Sequence, residues 1–183
     1  MTTSLPPFQA DGTLPPGDYD MTLDELQQSV LVHGPTSWPH PWDTEWRATL
    51  VASLQVLVPH LWSAGAQDIY IDGSFATDKS RPGDVDGYFV CDRYEWLSGR
   101  FQSRLMQCDP LWTSSKAAWR KEPASGKPHS PLWFRYHAEF FPHYPGLSSG
   151  VPDPFGNEYE FPRLFRTRKD RPLKAKGIIH LLR

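Results

Sequence analysis

Two short apolar segments, joined by a polar link, most constrain how this chain can fold. Residues 68–72 form a compact apolar run that ends at Gly73-Ser74. After the link, Asp84-Val85-Asp86 opens a second apolar run that reaches Cys91. Short runs rich in Ile, Val, Tyr and Phe, bounded by glycine, are typical of strands. The chain is therefore expected to form a sheet with polar residues where strands end and begin.

Helices are predicted before these strands. A capping box that starts at Thr22 predicts a short helix continuing to Val32. Residues 43–64 carry apolar side chains at helical spacing, and Pro59 inside this stretch predicts a kink or break. We interpret the apolar stripe of the longer helix as core, and it comprises Trp46, Leu50, Leu54, Leu57 and Leu61.

Three later segments complete the predicted elements. Residues 93–121 are expected to be helical in parts, 132–141 to form a third, aromatic strand, and 177–182 to add a last short strand. The side chains that we expect to be buried in the first of these segments are Trp96, Leu97, Phe101, Leu105 and Met106. The predicted fold class is α+β, with a small mixed sheet flanked by helices.

Length and composition fit one globular domain. The chain has 183 residues, of which 39% are hydrophobic and 14% aromatic. We predict a single domain over 1–183, with an irregular N-terminal segment 1–20 and a basic C-terminal segment 163–183. Cys91 and Cys108 do not form a CxxC pair, so we expect two buried, reduced thiols. No signal segment or membrane span is predicted, which favours a cytoplasmic protein.

Charge is unevenly distributed, although the net charge is only −2. From residue 163 onward eight basic residues face one acid, Asp170. The basic residues are Arg163, Arg166, Arg168, Lys169, Arg171, Lys174, Lys176 and Arg183. Such a segment is usually a solvated end of the chain, and an anionic partner such as a triphosphate or RNA is the alternative.

Asp84 and Asp86 are the strongest candidates for chemistry. Residues two apart in a strand point to the same face, so their carboxylates should project side by side. Two adjacent carboxylates repel each other unless a cation lies between them. Mg²⁺ or Mn²⁺ prefers oxygen ligands and keeps positions open for phosphate. The pair therefore predicts a divalent-metal site, although an Asp-x-Asp alone is a weak signal.

Gly73-Ser74 supplies the complementary part of the predicted site. A strand that ends in Gly-Ser and turns into a helix presents free backbone N–H groups and a hydroxyl, which suit a triphosphate. Because Gly73 has no Cβ, phosphates could approach its backbone closely. Lys79 and Arg81, in the following link, either remain in solvent or reach a phosphate.

The order of these motifs, Gly73-Ser74 and then Asp84-Val85-Asp86, resembles the signature of the DNA polymerase β-like nucleotidyltransferase superfamily. Within it, the chain is similar to small bacterial minimal nucleotidyltransferases, both uncharacterised members and those of toxin–antitoxin systems. Residues 11–17 and 172–179 also resemble one such uncharacterised family. The resemblance implies transfer of a nucleoside monophosphate from an NTP to an acceptor hydroxyl on RNA or tRNA, a protein or a small molecule. An antitoxin is an implied partner.

The resemblance also implies a third carboxylate on a strand next to the Asp-x-Asp strand. Glu139 is the candidate, as a metal ligand and as an aid to acceptor deprotonation. Alternatively, Glu139 pairs with Arg135 on a solvated face, or joins His137 and His143 in a zinc site. His137-Ala138-Glu139 also matches part of the zinc-deaminase signature, but the PCxxC that this signature requires is absent. A catalytically silent binding module and a metal-dependent nuclease remain the other functional hypotheses.

Overall fold

A five-stranded mixed sheet with helices packed on it organises the molecule. The computed structural model describes residues 5–36, 39–168 and 174–183. The strands are β1 (Asp18–Met21), β2 (Ile69–Asp72), β3 (Val85–Val90), β4 (Arg120–Lys121), β5 (Pro128–His129), β6 (Ala138–His143), β7 (Ser148–Pro152), β8 (Glu158–Glu160) and β9 (Ile178–Leu181). The α-helices are α1 (Leu23–Gln27), α2 (Val30–His33), α3 (Thr44–Ala64), α4 (Arg93–Leu97), α5 (Arg100–Cys108), α6 (Pro131–Tyr136) and α7 (Phe161–Phe165).

The main sheet has the strand order β1-β9-β2-β3-β6. β2 runs antiparallel to both β3 and β9, whereas β3–β6 and β1–β9 are parallel pairs. The predicted α+β class, with a small mixed sheet and flanking helices, is confirmed. Two small antiparallel pairs, β4–β5 and β7–β8, lie outside the main sheet. No helix in the described ranges is long and apolar enough to cross a membrane.

Helix α3 covers one face of the sheet and forms the centre of the core. Asp43 caps its first turn, and Gly65 ends it in the left-handed conformation. Leu50, Leu54, Leu57 and Leu61 are each at most 1% exposed, which confirms most of the predicted core stripe. Of the kink or break expected at Pro59, the break does not occur, because α3 continues through this residue to Ala64.

The opposite face of the sheet carries a smaller aromatic cluster. The Tyr70 ring stacks on Tyr88 at 4.8 Å and on His180 at 4.7 Å between ring centroids. Arg166 lies over Tyr70 at 5.0 Å, donates a 2.6 Å hydrogen bond to the Tyr88 hydroxyl, and pairs with Asp18. Because cations and aromatic faces attract each other, Arg166 ties the segment after α7 to this face.

A buried arginine on α3 fixes the link between β2 and β3. Arg47 is 0% exposed, and its guanidinium donates to the carbonyls of Leu31 and Phe75, at 2.5 and 2.9 Å. It also donates to the carbonyls of Thr77 and Lys79, at 3.0 and 2.5 Å. Burial lowers the pKa of Arg47 to about 10, so the side chain stays charged at neutral pH. One side chain thus holds two separate segments of backbone.

The predicted third strand, 132–141, is wrong over its first half. Ser130 caps helix α6, and Pro131 occupies the first turn, where the missing N–H costs nothing. His137 ends the helix in the left-handed conformation, and β6 starts only at Ala138. Arg135 therefore lies on the helix and His137 at its end, so neither alternates with Glu139 along a strand.

The N-terminal segment, expected to be irregular, and the C-terminal segment, expected to contain a last strand, each contribute to the main sheet. The N-terminal segment 1–20 contains most of β1, and β9, predicted as a last strand, lies inside the sheet between β1 and β2.

Cys91 is buried as predicted, but Cys108 is exposed. In the helical region Phe101 and Leu105 are buried, whereas two residues expected to be buried, Leu97 and Met106, are 62% and 42% exposed.

Replacing Arg47 by Met should destabilise the protein by about 3 kcal/mol, because it leaves buried carbonyls without a donor. Urea unfolding followed by circular dichroism measures the change. Arg93→Met, an exposed arginine on α4, is the matched control and should change the free energy of unfolding by less than about 0.5 kcal/mol. Equal losses in the two variants would contradict the role assigned to Arg47.

Candidate functional site

Polar residues gather at one end of the sheet. Because β2 runs antiparallel to β3 and β9, and β3 is parallel to β6, the end of β2 lies beside the starts of the other three strands. In this register Asp72 lies opposite Asp86, and Asp86 lies opposite Glu139. Directly opposed residues share a face of the sheet. Three adjacent strands therefore carry a row of carboxylates, Asp72, Asp86 and Glu139, at one level.

Gly73 fits tightly against this row. Its φ of 70° lies in the left-handed region, which favours glycine. A Cβ at this position would lie 2.4 Å from Asp86 Oδ2, so the space without a side chain is filled by the Asp86 carboxylate. Residues 73–76 form a turn, and no helix follows them. A short helical turn or a loop was expected after Ser74, and the structure has a turn without a regular helix, so only the turn's own polar groups remain for an anion.

Four of the seven predicted site residues line one cavity of about 480 Å³. They are Ser74, Lys79, Arg81 and Asp84. The cavity is also lined by two tryptophans, by two histidines and by the segment between β4 and β5. These residues are Trp46, Trp133, His129, His137, Glu122, Ser125 and Lys127. Gly73, Asp86 and Glu139 do not line this cavity, although they lie beside it at the same end of the sheet.

Two carboxylates of the predicted site are held by neighbours that the sequence did not indicate. The indole N–H of Trp133 donates to Asp84 Oδ2 at 2.8 Å. His129 Nδ1 lies 2.9 Å from Glu139 Oε1, and its ring stacks on Trp133 at 3.9 Å between centroids. The alternative that Glu139 pairs with Arg135 is wrong, because His129 takes that position. The Ser130-Pro131 helix start is the signal that would have placed Trp133 on a helix.

The two predicted phosphate ligands differ in their surroundings. Lys79 is exposed, while its carbonyl is fixed by Arg47. The guanidinium of Arg81 pairs with Asp43, the cap of α3, and lies 4.4 Å from the centroid of the Trp46 ring. Arg81 is therefore largely engaged in holding the link against α3, whereas the Lys79 side chain extends from a fixed backbone towards solvent and the cavity.

Asp72 is a buried acid that the sequence analysis did not single out. It is 1% exposed and pairs with Lys176, and its Oδ1 atom has no hydrogen-bond partner. Burial raises the pKa of Asp72 to about 6, against the opposing effect of Lys176. The pair joins the segment before β9 to the end of β2, next to Gly73. No local pattern could reveal it, because the two residues are 104 positions apart.

The basic C-terminal segment is largely neutralised where the structure describes it. Arg168 and Lys174 both pair with Asp11. Hydrogen bonds from Lys174 and Thr13 hold the pKa of this carboxyl well below its usual range. Arg166 pairs with Asp18. The interpretation as a solvated end is therefore wrong for these residues. Lys169, Asp170 and Arg171 lie outside the described residues, as does the start of the 172–179 resemblance.

The residues fit a divalent metal ion only in part. Asp86 and Glu139 share a face, and carboxylate oxygens are the ligands that Mg²⁺ and Mn²⁺ prefer. However, no group of three or more His, Cys, Asp or Glu side chains is arranged to hold a metal ion within the described ranges. The zinc site of His137, Glu139 and His143 lacks support for the same reason.

The raised pKa of Asp72 predicts a specific dependence of stability on pH. Because the folded-state pKa of this carboxyl exceeds its unfolded value, its contribution is full below about pH 4 and is lost as pH rises through about 6. Asp72→Asn should remove this dependence. The difference in unfolding free energy between wild type and Asp72→Asn should fall by about 1–3 kcal/mol between pH 4 and pH 7.

Urea titrations of both proteins at several pH values measure this difference. Lys176→Met should move the loss to higher pH, since the buried carboxylate then lacks its cation. A difference that stays constant with pH would contradict a raised pKa for Asp72.

Comparison with known proteins identifies a family. No curated protein and no solved structure matches this chain. Residues 6–182 match a family of unknown function, DUF6932. The match extends from the segment before β1, through the carboxylate row and the cavity, to the end of β9. Because it covers almost the whole sequence, the chain belongs to the DUF6932 family.

Proposed function

We propose that this protein is a Mg²⁺- or Mn²⁺-dependent nucleotidyltransferase that moves a nucleoside monophosphate from an NTP to an acceptor hydroxyl. One observation carries the proposal. The Gly73-Ser74 turn lies against Asp86 on the neighbouring strand, Asp86 lies opposite Glu139, and a polar cavity opens beside them. This arrangement agrees with the resemblance to the DNA polymerase β-like nucleotidyltransferase superfamily.

Asp84 and Asp86 would hold the metal ions, with Glu139 as the third ligand. When bound, the ions neutralise phosphate charge and polarise the reacting oxygens. The acceptor oxygen forms a bond to the α-phosphorus, pyrophosphate leaves, and Glu139 receives the acceptor proton. Glu139 suits this step because it lies beside Asp86 at the same level of the sheet.

The cavity offers the groups that a triphosphate needs. Ser74 supplies a hydroxyl in its wall, and Lys79 and Lys127 supply ammonium groups from two different loops. Flexible cations around a cavity of about 480 Å³ can follow the phosphates of a nucleotide. The aromatic walls, Trp46 and Trp133, provide flat surfaces against which a nucleobase can stack.

The class of acceptor follows from the resemblance alone. RNA or tRNA, a protein hydroxyl and a small molecule are all compatible with a cavity that is open to solvent. A toxin role, with an antitoxin as partner, belongs to the same proposal.

A catalytically silent binding module on the same fold is the second candidate. Trp133 contacts one oxygen of Asp84 and His129 one oxygen of Glu139, so protein groups can hold these carboxylates without a metal ion. Isothermal titration calorimetry with Mg²⁺-NTP separates the two functions. Binding accompanied by turnover supports the transferase, whereas binding without turnover of any acceptor supports the silent module.

Removing both carboxylates should abolish nucleotidyl transfer. Asp84→Asn/Asp86→Asn keeps the size of both side chains but removes the two proposed metal ligands, so labelling should fall by at least about 100-fold. The assay incubates the protein with each α-³²P-labelled NTP, Mg²⁺ or Mn²⁺, and cellular RNA and protein as acceptors.

Asp24→Asn, an exposed carboxylate on α1, is the matched control and should label as wild type. Circular dichroism confirms that each variant is folded. Undiminished labelling by a folded double variant would rule out the proposed function.

Lys79→Met should weaken nucleotide binding about tenfold, because it removes one phosphate-facing cation without changing the backbone that Arg47 fixes. Equilibrium binding of a fluorescent NTP in the presence of Mg²⁺ measures the dissociation constant. Lys116→Met, an exposed lysine away from the cavity, is the control. If both variants bind as wild type, phosphates do not contact Lys79.

A further inference from the structure

A second cavity, of about 200 Å³, lies along the outer edge of β6. Its walls are mainly aromatic and aliphatic, and they include three tryptophans, Trp96, Trp112 and Trp119. Trp119 is 36% exposed, so one wall is open to solvent. The volume fits one small molecule or one side chain and is too small for a polymer.

Glu139 is the charged residue in this cavity. None of the described residues that line it is a lysine, arginine or histidine. Glu139 contacts His129, which lines the first cavity, and 19% of the Glu139 side chain remains exposed. A carboxylate among tryptophans attracts cations, and it repels phosphates and other anions.

The occupant must satisfy both the aromatic walls and the carboxylate. A neutral apolar molecule would cover Glu139 without pairing its charge, which costs free energy. A metal ion would find a single carboxylate among mainly apolar walls, which is fewer charged ligands than such ions usually take. An organic ammonium ion fits, because its charge pairs with the carboxylate and its alkyl groups contact the rings. Tryptophan is the aromatic side chain that binds such cations best.

We propose that this cavity, formed by Trp96, Trp112, Trp119 and Glu139, is a binding site for an organic ammonium group. The site shares Glu139 with the proposed transferase, and its other walls lie outside the nucleotide cavity, so binding measured without metal or nucleotide tests it separately. The ammonium group belongs either to a free small molecule or to a lysine side chain of another protein. Both sources share the chemistry that the cavity recognises.

Calorimetry against a matched pair of probes tests the proposal. Choline and 3,3-dimethyl-1-butanol have the same shape and differ in charge. Choline should bind at least about tenfold more tightly, because only the cation gains from the rings and the carboxylate. Nα-acetyl-lysine amide forms the third arm, and the tighter of the two cationic probes identifies the source. Equal binding of choline and its neutral analogue, or no binding by either cation, overturns the proposal.

Two variants locate the site. Trp119→Ala and Glu139→Gln should each weaken choline binding at least about fivefold, and neither should change the weak affinity for the neutral analogue by as much. Tyr94→Ala removes an aromatic ring that is 76% exposed outside the cavity, and it should bind choline as wild type. Choline binding that survives both cavity variants, in folded protein, would place the ion elsewhere and overturn the assignment.

Discussion

The buried guanidinium of Arg47 is the interaction on which the rest of the site depends. The link between β2 and β3 has no regular structure after its first turn, so its shape must be set from outside. Arg47 sets it from the core, through hydrogen bonds to the carbonyls of Phe75, Thr77 and Lys79. The buried leucines of α3 hold this helix in the core. Because Arg47 projects from α3, its hydrogen bonds fix the backbone beside the cavity relative to the core.

Charge is organised around one end of the sheet. The row of Asp72, Asp86 and Glu139 is bracketed by Lys176 on one side and His129 on the other. Like charges at adjacent positions destabilise a fold unless cations or hydrogen bonds offset them. Fold stability alone therefore does not explain why these three carboxylates lie side by side. Clusters of perturbed or crowded carboxylates are more frequent at functional sites than elsewhere, which is consistent with the proposed function.

Local patterns predicted the elements whose signals are local. The strands on both sides of Gly73-Ser74 and helix α3 follow from periodicity and caps. The aromatic run 132–141 was misassigned because strand-like composition outweighed the Ser130-Pro131 helix start. The Asp72–Lys176 pair and the contact between Trp133 and Asp84 could not be predicted, since each joins residues far apart in sequence. Sequence therefore indicated the candidate ligands, while tertiary contacts determine how they are held.

The interior position of β9 has a consequence for how the sheet assembles. His180 on β9 contacts Asp20 on β1, 160 residues earlier in the chain. During synthesis β1 is made early but pairs only with a strand made after every other described element. Until then β1 and the outer edge of β2 expose unpaired backbone groups, a state prone to wrong pairing and aggregation. Contacts of such high sequence separation also slow folding, so the protein should depend on chaperones more than its size suggests.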